Sequence, residues 1–162
     1  MQEEAYGTRD RSYSAWHRRR STSRYIGIES AQTLAMIDLD ASLYVEYDDG
    51  KKDPLALIET AIDVGQPYKT ATVTKKLAQR AKLPAFVLLY KLSKTPNPAD
   101  HLWPDIVEFR AKVLHWPFVD HKITKTGWVI LQPAEWCKFL RSLRSRQAAV
   151  IDKEFRGGGN AC

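Results

Sequence analysis

The sequence predicts an α/β domain built in the order helix, β-hairpin, helix, strand, with a further strand and helix toward the C-terminus. Three observations predict it. Residues from Ile37 to Asp48 alternate strictly between apolar and polar or acidic side chains; two short, nearly continuous apolar runs lie at 54–60 and 85–92; and helical spacing marks the segments before, between and after them. The expected organisation is an arm over 1–15, one domain over 16–148 and a tail over 149–162.

The first helix is expected from Ser21. Tyr25, Ile28, Gln32 and Ala35 approximate one helical face, the Ser21-Thr22-Ser23 cluster can cap its start, and Gly27 sits inside it as a weak point. In the alternating segment Ile37, Leu39, Ala41, Leu43, Val45 and Tyr47 share one side, and Asp38, Asp40, Ser42, Tyr44, Glu46 and Asp48 the other, the pattern of a strand with one wet face. The run Asp48-Asp49-Gly50-Lys51-Lys52-Asp53 supplies a turn, and Pro54 to Thr60 is a strand buried on both sides.

A second helix is expected after Gly65, with Pro67 at its start, Val73, Leu77 and Ala81 on its inner side, Lys69, Thr72, Lys76 and Arg80 on its outer side, and Leu83-Pro84 ending it. Ala85 to Leu92 is the next buried strand, joined to the hairpin in parallel by that helix. Ser93 to Pro104 reads as a loop, and Asp105 to Leu114 suits either a strand or a short helix. A strand around Trp128 to Leu131 and a helix from Pro133, with Trp136, Phe139, Leu140 and Leu143 as its apolar stripe, complete the pattern.

At 162 residues the chain can bury about 68–70% of the surface exposed when unfolded, so it needs no covalent staple. Cys137 and Cys162 form neither a disulfide framework nor a zinc-type spacing, and His101, His115 and His121 have no ligand spacing to one another. No apolar run approaches the roughly 18–20 residues that span a bilayer, so a cytoplasmic protein with no membrane partner is expected. No glycine-rich phosphate loop is present, which argues against a nucleotide-driven motor or a kinase.

Twenty-five Lys and Arg against 19 Asp and Glu give a net charge of +6, enough to permit a polyanion partner. Its distribution says more. Arginines crowd at Arg18-Arg19-Arg20 and from Arg141 to Arg146, while carboxylates gather between Asp38 and Asp63. Basic flanks around an acidic centre suit a metal-dependent nuclease, and suit equally two solvated helix faces beside an acidic hairpin.

A carboxylate kept from water is costly unless it is paired, hydrogen-bonded or bound to a cation, so acids on strands carry information. If the turn pairs Asp48 with Asp53, Glu59 faces Ser42 and Ala61 faces Asp40, which makes Asp40 and Glu59 diagonal neighbours on one face, within reach of a shared ion. Oxygen ligands of this kind suit Mg²⁺ or Mn²⁺ rather than zinc. A purely structural reading pairs the same two acids with Arg18 or Arg24.

The order Asp40, hairpin, Leu55-Ala56-Leu57-Ile58-Glu59-Thr60-Ala61, then a lysine-bearing helix and the strand Phe86-Val87-Leu88-Leu89-Tyr90, resembles the PD-(D/E)XK phosphodiesterase superfamily. Trp16-His17-Arg18, Asp38-Leu39-Asp40 and Glu59-Thr60-Ala61 also occupy positions similar to those in small prokaryotic and phage members of that superfamily; the likeness covers residues 16–92. It implies a restriction-endonuclease-like core, a DNA substrate, and Asp40 and Glu59 as metal ligands with Asp38 as substitute or supporting partner.

It departs from the superfamily at Ala61, where a lysine is expected. In some members that lysine comes from the following helix, which here makes Lys69 the candidate, with Gln66 beside it. Arg18, Arg19, Arg20, Lys76 and Arg80 are the expected nucleic-acid contacts, and His17 a candidate general acid or phosphate contact. The expected function is therefore a Mg²⁺- or Mn²⁺-dependent deoxyribonuclease. The alternatives are a catalytically inactive nucleic-acid-binding or protein-interaction module on the same fold, and a structural protein whose late tryptophans meet a partner. Cutting both strands of a duplex would call for two copies, so the reading allows a homodimer.

Overall fold

A computed structural model of the protein describes residues 12–16, 19–34, 39–46, 48–118 and 127–157. The chain divides into two compact units, residues 1–38 and 39–162. Each is described by itself.

In the first unit, α2 (Arg19–Ile26) and α3 (Ile28–Thr33) take the place of the single helix expected from Ser21, and a short α1 (Ser12–Trp16) precedes them. The break is at Gly27, whose φ of 76° lies in the left-handed region that glycine adopts without a Cβ clash. Ser21, Thr22 and Ser23 do not cap a helix start, because α2 begins before them; the Ser23 hydroxyl instead donates to the Arg20 carbonyl at 3.3 Å. Trp16 lies between the rings of Tyr13 and Tyr25, with centroids 5.8 and 6.2 Å away.

The second unit is a mixed α/β structure around a five-stranded sheet in the order β1-β2-β3-β4-β5. Its strands are β1 (Ala41–Glu46), β2 (Lys52–Ile62), β3 (Ala85–Asn97), β4 (Asp100–His115) and β5 (Val129–Leu131). The β2–β3 pair is parallel and the other three are antiparallel. The parallel pair is joined through α4 (Thr72–Ala81), as a parallel connection requires a crossover.

Successive side chains of β2 point to opposite faces, and both faces are covered. Ala56 and Ile58 join Phe86, Leu88, Ala111, Trp136 and Leu143 in a core under α5 (Pro133–Gly157), whereas Leu57 joins Ala78 of α4 and Ala85 on the other side. Hence the run 54–60 shows no alternation in sequence. The α5 stripe is as expected: Trp136, Phe139, Leu140 and Leu143 all pack on the first core, with Phe86 meeting Phe139 edge-on at 5.3 Å. Gln132 precedes this helix, and its N–H donates to Glu135 Oε2 at 2.7 Å, half of a capping box. The helix runs on to Gly157, into residues expected as tail.

Three local expectations are corrected. The hairpin register is not set by an Asp48–Asp53 pair: Val45 faces Asp53 and Ala41 faces Ile58, with a bulge opposite Leu43/Tyr44 that leaves Leu55 as the additional residue on β2. Pro54, which has no N–H for a regular ladder, sits at this bulge. Ser42 therefore faces Leu57, and one further step in the same register sets Asp40 against Glu59 directly.

Second, Ser93 to Pro104 is not a loop. β3 and β4 pair out to Asn97↔Asp100, with register shifts that accommodate Pro96 and Pro104. This end of the hairpin is a two-stranded arm, since β2 leaves β3 at Tyr90 and β5 pairs only from Phe109 to Ala111. It also makes Asp105 to Leu114 strand rather than helix.

Third, α4 does not bury Val73 and Leu77, which are 49% and 40% exposed; it buries Thr74 and Ala78. The helix is thus turned from its most apolar face. The reason is the partner that Thr74 finds.

Candidate active site

Glu59 lies in the middle of β2 on the α4 side and is 4% exposed. Its carboxylate is satisfied at both oxygens. Oε1 accepts the hydroxyl of Thr74, itself buried in the first turn of α4, and Oε2 accepts Lys69 Nζ at 3.0 Å. A hydroxyl bound to a buried charge outweighs what burying Val73 would bring, which accounts for the rotation of the helix.

Asp40 enters from the residue before β1. Its Oδ2 accepts the Thr60 backbone N–H at 2.8 Å, the Thr60 hydroxyl at 3.4 Å and Lys69 Nζ at 2.7 Å. Lys69 is on the connection between β2 and α4, not on the helix, because α4 starts only at Thr72. Its ammonium also donates to the Thr60 carbonyl at 2.5 Å. Three donors therefore meet three oxygens, from Asp40, Glu59 and Thr60. Ala61, two residues along the same face, packs against Val87 and Leu89.

These contacts set the ionisation of the pair. Burial pushes the Asp40 carboxyl up, but the Lys69 ammonium and the Thr60 N–H together hold it below its ordinary value of 3.8. Burial likewise pushes Lys69 down, and its bonds to Asp40 and Glu59 outweigh this and raise it above 10.5. Both groups are ionised across the neutral range.

The connection that presents Lys69 is itself anchored. Asp63 takes a two-pronged bond from Arg110 of β4, Nε to Oδ2 at 2.9 Å and Nη2 to Oδ1 at 2.8 Å, and the same Nη2 donates to the Gln66 carbonyl at 2.7 Å. The Arg110 guanidinium lies 4.9 Å from the ring centre of Trp128, whose indole N–H donates to the Pro67 carbonyl at 2.9 Å. The Gly65 N–H, chiefly, and Arg110 hold the Asp63 carboxyl below its ordinary value.

No protein-family model, curated protein or solved structure matches the chain.

Asp40, Glu59 and Lys69 are brought together. Gln66 is not: its side-chain amide donates to the Ile62 carbonyl at 2.9 Å and accepts the Val64 N–H at 2.7 Å, closing its own loop. Lys76 and Arg80 lie exposed on α4. Arg19 opens α2 and Arg20 is exposed on it, both in the first unit. His17, Arg18 and Asp38 lie outside the described residues. His115 Nδ1 lies 2.7 Å from the Leu83 carbonyl, a structural contact. No helix among the described residues is long and apolar enough to cross a membrane.

Sequence reasoning missed Thr60, Thr74, Arg110 and Trp128. Thr74 had a readable signal, since Ala71, Thr74 and Ala78 are small residues at helical spacing. Arg110 and Trp128 had none, because their partners lie far along the chain.

The donor set fits a hard divalent cation. Two carboxylate oxygens and one backbone carbonyl lie within 3.0 Å of a single positive nitrogen, and Mg²⁺ typically takes one or two carboxylates and completes its shell with water and substrate oxygens. Among the described residues no group of three or more His, Cys, Asp or Glu side chains gathers into a cluster that could hold a metal ion.

Proposed function

We propose that the chain is a metal-dependent deoxyribonuclease of PD-(D/E)XK type, in which Asp40, Glu59 and the Thr60 carbonyl hold Mg²⁺ or Mn²⁺ and Lys69 replaces the lysine missing at Ala61. One observation carries the reading: Lys69 Nζ is within 3.0 Å of both acidic side chains. The order of acid, hairpin, crossover helix and parallel strand supports a restriction-endonuclease-like core.

A divalent ion held there by Asp40, Glu59 and the Thr60 carbonyl would supply an activated water and offset charge on the phosphate. The chain's own residues do the rest. Thr74 fixes one Glu59 oxygen so that the other faces the site, the Thr60 N–H fixes Asp40, and Lys69 brings a positive charge that stays protonated to the phosphate oxygens. Exposed Lys76 and Arg80, on the helix that carries Thr74, would hold the phosphate backbone.

The test is nicking of supercoiled, branched and single-stranded DNA in Mg²⁺ and Mn²⁺, by the wild type and by Asp40→Asn, Glu59→Gln and Lys69→Met. Metal-dependent cleavage by the wild type, lost in all three variants, is expected. Cleavage that survives Glu59→Gln would mark a contaminant. Salt-sensitive binding without cleavage would identify a non-catalytic module instead.

A further inference from the structure

Both acids of the candidate site are paired with the same ammonium, and Lys69 Nζ lies 2.7, 3.0 and 2.5 Å from Asp40 Oδ2, Glu59 Oε2 and the Thr60 carbonyl. These are the oxygens that the proposed function assigns to a divalent ion. Two cations cannot share one set of oxygens at such distances: their mutual repulsion rises as the separation falls, and each oxygen would have to serve both.

We propose that Lys69 is an internal counter-ion that competes with the divalent cation for these three oxygens, so that the metal-free site is latched by the lysine later used on the phosphate. The inference rests on the metal reading above. It explains why a buried Glu59 and its neighbour Asp40 can face one another without metal: the latch supplies the compensating charge.

The geometry also limits where the released lysine goes. Asp63 and the Gln66 carbonyl are held by Arg110, and the Pro67 carbonyl by Trp128, two residues before Lys69. The backbone is therefore tethered up to Pro67, while the four-carbon stem of Lys69 can swing. Once displaced, its ammonium would stay within the length of that stem from the acids, close enough to meet a phosphate oxygen bound at the ion. Lys69 serves first as occupant and then as phosphate contact.

The experiment is a Mn²⁺ titration of the metal-stripped full chain, read by the resonance of free Mn²⁺, for the wild type, Lys69→Met and Glu59→Gln. Circular dichroism confirms folding of each. Lys69→Met is expected to bind Mn²⁺ roughly tenfold more tightly than the wild type, the factor for a latch closed about 90% of the time. Its metal-free melting temperature should fall, and Mn²⁺ should raise it by more than in the wild type.

Alongside, the ammonium resonance of Lys69, protected by three acceptors, should disappear when Mg²⁺ is added to the wild type. Equal or weaker Mn²⁺ binding by folded Lys69→Met, with Glu59→Gln still impaired, would overturn the latch and leave the metal reading standing. Absence of Mn²⁺ binding in all three folded proteins, or unchanged binding in Glu59→Gln, would overturn the metal reading and the latch with it.

Discussion

Removing the Thr74 hydroxyl isolates the contact that turns α4 toward the sheet. Thr74 is 2% exposed and Glu59 4%, and the hydroxyl donates to Glu59 Oε1. Thr74→Val keeps the shape and deletes the donor, so one oxygen of a buried carboxylate is left without its partner. A hydrogen bond to a charged group contributes about 1.5–3 kcal/mol, and the lost solvation of the buried oxygen sets the cost toward the upper part of that range.

With a urea slope of about 2 kcal/mol/M, a loss of about 2.5 kcal/mol moves the unfolding midpoint down by roughly 1.2 M. Tryptophan fluorescence gives the assay. Thr74→Ser, which keeps the hydroxyl, should retain most of the stability. The double variant with Glu59→Gln should show a coupling energy of at least about 1 kcal/mol, as expected for groups in direct contact. A midpoint for Thr74→Val within experimental error of the wild type, or Thr74→Ser as unstable as Thr74→Val, would refute the account of why α4 presents this face.

Other perturbations address the remaining contacts. Arg110→Met removes the partner of Asp63, and because both side chains are only about one-fifth exposed, urea unfolding should show a loss of about 2–3 kcal/mol, with Asp63→Asn/Arg110→Met losing less than the two single changes added. Lys82, at φ 56°, ends α4 in the left-handed region, so Lys82→Gly should raise stability by about 0.5–1 kcal/mol in the same assay; a loss would show that the lysine side chain has a role of its own.

The ion pair of Asp40 with Lys69 also sets a pH dependence. Asp40's folded value is depressed, so its contribution is present above its ordinary 3.8 and is lost as pH falls through the lower folded value. Lys69's is raised, so its contribution is complete below 10.5 and is lost as pH rises through the higher folded value. The stability difference between wild type and Asp40→Asn should therefore be flat across neutral pH and shrink below about pH 4. A difference that does not change between neutral and acid pH would show that Asp40 is not held by this pair.

Local patterns were legible where one physical requirement acts alone. The double-sided burial of β2 and the apolar stripe of α5 follow from burying hydrocarbon, and the periodicities show it. The same reasoning placed α4 on its most apolar face and failed, because a buried carboxylate on β2 competed for that face through Thr74. It missed the β3–β4 arm because Pro and Asn residues read as loop, although an edge pair with register shifts can carry them. The hairpin register escaped for a similar reason. A single bulge at Leu55 cannot be seen in a run that is apolar toward both faces, because such a run has no alternation for the bulge to interrupt.

The alanine at position 61 and the lysine at 69 were both visible in the sequence, as were Asp40 and Glu59. The linear pattern alone was enough to set two acids, one at the entry to β1 and one on β2, beside a lysine-bearing crossover between parallel strands. That Lys69 meets Asp40, 29 positions away, and Glu59, 10 positions away, at one point emerges only once the chain is folded. This convergence depends on two things no local pattern encodes: a register set by a bulge, which brings Asp40 level with Glu59, and a loop tied down by Arg110 from a strand 47 positions beyond Asp63.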